Sequence, residues 1–131
     1  LEDVAQKEEY KNYKHTIVFC HERVNAHNHG PFIADYEKWV KEINKISPDF
    51  MLCGHEHICK VFPAGAKHFE TDTTFEFTTV VAGQVRGNKR TTNADLPYGY
   101  TGGFFTLDSQ KLSVSFTDDK NEIQETHEIK L

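Results

Sequence analysis

Two short apolar runs on either side of an amphipathic stretch constrain this chain more than any other feature. Thr16-Ile17-Val18-Phe19-Cys20 is β-branched and aromatic without polar interruption, the pattern of a strand covered on both faces. From Ile33 to Ile46 the apolar residues Ile33, Tyr36, Val40, Ile43 and Ile46 recur at helical spacing, with Lys and Glu between them. Ser47-Pro48-Asp49 breaks that helix, and Phe50-Met51-Leu52-Cys53 reads as a second strand. Strand, loop, helix, strand is the grammar of two parallel strands joined by a right-handed crossover. In sheets of this kind ligands collect beyond the carboxyl ends of the strands. One such end carries His21, and the other runs into Gly54-His55-Glu56-His57.

The rest of the chain changes character. Ile58 to Phe62, Thr74 to Ala82, Gly103 to Leu107 and Lys111 to Thr117 read as strands between polar turns, and antiparallel pairing is expected for them. Asp108-Ser109-Gln110 is the clearest hairpin turn. Gln84 to Tyr100 is polar and rich in Gly, Asn and Thr, and Glu22 to Phe32 is polar and His-rich; both read as loops. One domain spanning 1–131 is expected, in which Leu1 to Lys14, with its mixed charges, forms a linker or frayed helix.

Composition narrows the functional classes. The 131 residues are 37% hydrophobic and 27% charged, a balance that suits a soluble packed core rather than a disordered chain. No apolar run approaches the roughly 18 residues that span a bilayer, so no membrane partner is expected. The formal charge of −5 argues against a surface that holds nucleic acid through clustered Lys and Arg. Cys20, Cys53 and Cys59 form no CxxC pair and fit reduced, space-filling thiols, although a thiolate is also a ligand for soft metals. The chain opens Leu1-Glu2-Asp3 without a methionine, which points to a truncated or processed polypeptide.

Two histidines one residue apart, directly after a glycine at a strand end, present both imidazoles to one small volume. Imidazole nitrogen is a good donor to Mn, Fe, Zn and Ni. A His-x-His pair alone is a weak signal; His21 at the end of the neighbouring predicted strand strengthens it, because parallel neighbours run about 5 Å apart. The competing reading makes His21 a strand-end residue bonded to backbone, and His55 and His57 simple turn residues.

The succession Val18-Phe19-Cys20-His21, a helix, and then Pro48-Asp49-Phe50-Met51-Leu52-Cys53-Gly54-His55-Glu56-His57 resembles the last two motifs of the calcineurin-like metallophosphoesterases, whose Gly-His-x-His motif is matched in full. The resemblance runs from Thr16 to Val61, with Val80-Val81-Ala82-Gly83 and Gly99 to Phe104 following in general pattern. It implies a mixed α/β fold, the C-terminal half of a four-layer αββα sandwich, with a mixed sheet and antiparallel C-terminal strands. It also implies a site for two divalent or trivalent ions (Mn, Fe, Zn or Ni), with His21 and His55 on one ion and His57 on the other. His29, and after it His27, would protonate the leaving oxygen of a phosphate-ester substrate, although a loop histidine is also often only solvated. Arg23 and Asn25 are weaker candidates for contacting phosphate.

The sequence departs from the family in one respect: Asp-x-His, Gly-Asp and Gly-Asn-His followed by an acid are nowhere in it. Without a bridging Asp and an Asn ligand, neither ion has a full protein shell. The expectation is therefore a fragment, inactive by itself, whose partner is the missing N-terminal half of the same domain. A half-sandwich would also tend to self-associate through an exposed sheet face. The rival is a non-catalytic β-rich binding module with a His-based metal site. His15, His68, His127 and Glu56 are assigned no role, Trp39 is read as packing or partly exposed, and Tyr98, Tyr100 and Phe104 as packing residues that could also line a substrate cleft.

Overall fold

The structure, a computed structural model, describes residues 6–22, 33–54, 59–66, 73–82, 102–118 and 120–131. Its elements in chain order are α1 (Glu8–Lys11), β1 (Ile17–Glu22), α2 (Ile33–Asn44), β2 (Phe50–Gly54), β3 (Lys60–Phe62), β4 (Thr78–Val81), β5 (Gly102–Leu107), β6 (Lys111–Thr117) and β7 (Ile123–Lys130). The fold is mixed α/β. One sheet is mixed, in the order β1-β2-β4-β3, and the other is antiparallel, in the order β5-β6-β7.

The strand–helix–strand unit forms as its pattern requires. β1 and β2 run parallel, with Ile17 opposite Phe50, Val18 opposite Met51 and Phe19 opposite Leu52. Their amino ends are tied together: the Asp49 amide donates to the Thr16 carbonyl at 2.9 Å, and the Thr16 amide donates to Asp49 Oδ2 at 2.6 Å. α2 ends where Ser47 enters the left-handed region at φ 44°, followed by Pro48, which does not continue a helix.

Alternation along the strands sorts the apolar side chains into two layers. Met51 and Cys53 of β2 and Val81 of β4 meet Val40 and Ile43 of α2, with Phe75 and Phe77 in the same cluster. Asn44 clamps the segment that carries those two rings, donating to the Thr74 carbonyl at 2.9 Å and accepting from the Glu76 amide at 3.2 Å. Phe50 and Val80 point the other way and pack on Leu112, Val114 and Phe116 of the second sheet. The layers are therefore helix, mixed sheet, antiparallel sheet.

Two strand assignments from the sequence are corrected. Thr78–Val81 pairs antiparallel with β3 as expected, with Val61 opposite Val80, but on its other side it runs parallel to β2, with Phe50 opposite Thr78 and Cys53 opposite Val81. All four of its residues are buried, as befits a central strand covered on both faces. The second correction is β7, an eight-residue strand antiparallel to β6 that the sequence reading left out. The Asp108-Ser109-Gln110 turn does form: Asp108 Oδ1 accepts from the amides of Gln110 at 2.7 Å and Lys111 at 2.9 Å.

Candidate functional site

The site is built where parallel strands end. β1, β2 and β4 point the same way, so Glu22, Gly54 and Val81 finish at one edge of the mixed sheet. The Ala82 amide donates to the Cys53 carbonyl at 2.8 Å, which carries the β2–β4 pairing to its last residue. Loops leaving this edge therefore start side by side, although they begin far apart in sequence.

His21 is the penultimate residue of β1, and its side chain is exposed. After Phe19 opposite Leu52 the next pair is Glu22 opposite Gly54, so β1 spends one more residue than β2 over this interval. An extra residue of this kind is a bulge, and it releases side chains from strict alternation at a strand end. A Cβ built on Gly54 would stand 3.6 Å from the His21 carbonyl oxygen, so the two strand ends are in van der Waals reach. The Gly-His-x-His segment thus departs from a point beside His21.

His55, Glu56 and His57, and likewise Arg23, Asn25, His27 and His29, lie outside the described residues. Among the described residues no group of three or more His, Cys, Asp or Glu side chains is assembled that could hold a metal ion. Of the three histidines, His21 lies among the described residues, beside Gly54, the residue that precedes His55.

The remaining histidines sit elsewhere. His15 lies at the amino ends of the strands, with Nδ1 3.6 Å from Asp49 Oδ1 and neither ring nitrogen hydrogen-bonded. His127 lies on β7 with Nε2 2.6 Å from Glu125 Oε1, and its ring stands edge-on to Phe116 at 5.9 Å. His68, Tyr98 and Tyr100 fall outside the described residues. Trp39, read as packing or partly exposed, is exposed, and so is Phe104, read as a packing residue. What the sequence reading missed at this edge is the end of β4; the signal was its unbroken Thr-Thr-Val-Val, which suits a doubly covered parallel strand better than an alternating antiparallel one.

No family model matches this chain, and no curated protein matches it in sequence. Among solved structures it is similar to that of a conserved uncharacterized protein from Streptococcus pneumoniae TIGR4, a predicted phosphoesterase, with a TM-score of 0.48 and 14% sequence identity. The match covers 77% of this chain and 51% of that one, so this chain spans about half the length of that protein.

Among the described residues no helix is long and apolar enough to cross a membrane.

Proposed function

We propose that this chain carries the histidine-rich part of a metal-dependent phosphoesterase centre, with His21, His55 and His57 as metal ligands. The observation that carries the proposal is the β1–β2 register, in which Glu22 faces Gly54 and the His21 carbonyl lies against Gly54. It supports a common origin for three imidazoles at one sheet edge. The donor set fits Mn, Fe, Zn or Ni, since all three donors are neutral nitrogens. A two-ion centre supplies positive charge that clamps phosphoryl oxygens and lowers the pKa of an attacking water. This chain's part is to orient imidazoles, with His29, and after it His27, as the proton donor to the leaving oxygen.

Carboxylate and amide ligands must come from another polypeptide segment, because Asp-x-His, Gly-Asp and Gly-Asn-His-acid are not in the sequence. The sheet edges support an added segment. β3 is three residues long, opens on Lys60 and is followed by Pro63, while β7 turns Glu125 and His127 toward the core side, opposite Phe116 and Val114. Short length, proline and inward charge are the usual protections of an edge. β5 (Gly102–Leu107) contains no charged residue, and β1 (Ile17–Glu22) carries its one acid at its last position. Those two edges are built like strands that accept a neighbour.

Titration of the chain with Mn²⁺ and Zn²⁺ tests the ligand assignment. Weak binding that disappears in the His21→Asn, His55→Asn, His57→Asn triple variant is expected, with no turnover of a chromogenic phosphate ester by this chain alone. Binding that survives the triple substitution refutes the ligand set. One tightly held zinc with turnover by this chain alone would replace the proposal with a mononuclear three-histidine hydrolase.

A further inference from the structure

Phe19 faces Leu52 across β1 and β2, and Cys20 and Cys53 are the next residues on the two strands. Adjacent strands run about 4.8 Å apart, within the roughly 4.4–6.8 Å Cα separation that a disulfide bridges. Both side chains belong to the same face: Cys53 is a buried member of the cluster beneath α2, and Cys20 packs against that cluster. Cys59 belongs to the cluster on the other side, between the two sheets. None of the three is in a disulfide; Cys20 is half-buried, and Cys53 and Cys59 are buried. The Cys53 thiol donates to the Val80 carbonyl of β4 at 3.6 Å, on the side of β2 away from β1, so it must turn about its Cα–Cβ bond to meet Cys20.

We propose that Cys20 and Cys53 are a reversible dithiol–disulfide couple across the carboxyl ends of β1 and β2, oxidised by small-molecule disulfides. Cys20 is the more accessible sulfur and reacts first. It attacks one sulfur of the reagent, the reagent's S–S bond breaks, and the first small thiol leaves with the bonding pair. Cys53 then attacks Cys20 Sγ in the mixed disulfide and expels the second small thiol. Two protein thiols and one small disulfide become one protein disulfide and two small thiols; the protons and the two electrons end on the released thiols.

Parallel side chains on adjacent strands keep their Cβ atoms near the strand spacing, wider than the mean of about 3.8 Å in relaxed bridges. The bond is therefore strained and easily reduced, as regulatory disulfides are. The bulge after Phe19 gives the Cys20 backbone room to adjust. Oxidation joins the residue before His21 to the residue before Gly54, so it fixes the spacing of the two segments that leave this edge.

The test uses the whole chain. It is incubated with oxidised glutathione in buffer and, separately, in denaturant, then quenched, alkylated and mapped by mass spectrometry. In buffer the expected product is an intramolecular Cys20–Cys53 bridge with Cys59 alkylated, and dithiothreitol restores all three thiols. In denaturant all three pairings are expected. Cys59→Ser still forms the bridge, whereas Cys53→Ser stops at a mixed disulfide on Cys20. Absence of the bridge in buffer, a dominant bridge through Cys59, or the same mixture in buffer and denaturant would each overturn the proposal.

Discussion

Ser47 holds a left-handed φ of 44°, where a side chain is unfavourable and glycine is not. It closes α2 with its amide donating to the Asn44 carbonyl at 3.0 Å. Ser47→Gly is expected to raise stability by about 0.5–1 kcal/mol, read as a higher denaturant midpoint at unchanged slope. Asp108 offers a prediction in pH. The amide hydrogen bonds from Gln110 and Lys111 hold its carboxyl below the ordinary value of 3.8. A depressed folded-state value means that its contribution is present above 3.8 and is lost as pH falls through the lower folded value. The gap in unfolding midpoint between the native chain and Asp108→Ala should therefore narrow as acid is added below 3.8; a gap that widens there refutes the assignment. Turn chemistry of this kind was legible in the sequence because Asp and Ser-Pro act locally. The neighbourhood of Cys20 and Cys53 was not, since it depends on the register between strands that α2 separates.

α2 and β6 were readable because each carries one clear period, and β1 and β2 because each is an unbroken apolar run. β7 was missed because its apolar residues are few: Ile129 shares its face with Glu125 and His127, where charge masks the period, and a bulge takes Ile123 out of that alternation. Its turn was visible afterwards in Asp118, whose Oδ1 accepts from the amides of Lys120 and Glu122, and in Asn121 at φ 64°. β4 pairs antiparallel with β3 as expected, but its parallel pairing with β2 was missed, because pairing partners are set by tertiary packing rather than by local propensity. Packing between sheets makes the sharper energetic prediction. Leu112 is 1% exposed at the centre of the inter-sheet layer, and Leu112→Ala should cost about 2–5 kcal/mol in denaturant unfolding. Phe104, 59% exposed on the outer face of β5, should lose far less when changed to Ser.

At the scale of the whole molecule the two sheets share one asymmetry: each has a guarded edge and an open one. Phe19 on β1 is 72% exposed on the side of Ile17, which packs toward the second sheet. On β5, Phe105 pairs with buried Val114, so it faces the core side while remaining partly exposed. Sedimentation velocity over a concentration series is expected to show self-association that Phe19→Lys and Phe105→Lys weaken; a series independent of both changes would remove these edges as contact surfaces. The site itself was legible only as motifs. His-x-His after glycine is local, whereas its adjacency to His21 depends on a parallel register between segments far apart in the chain. That register has a consequence in time. Ile17 must find Phe50, and Phe50 must find Thr78, before the three strand ends share an edge. Pairings between such distant segments close late, because their loop entropy is lost before contacts compensate for it. A metal-sensitive probe followed during refolding would thus act as a clock for completion of the parallel sheet, lighting up after the β5–β6 hairpin has already formed.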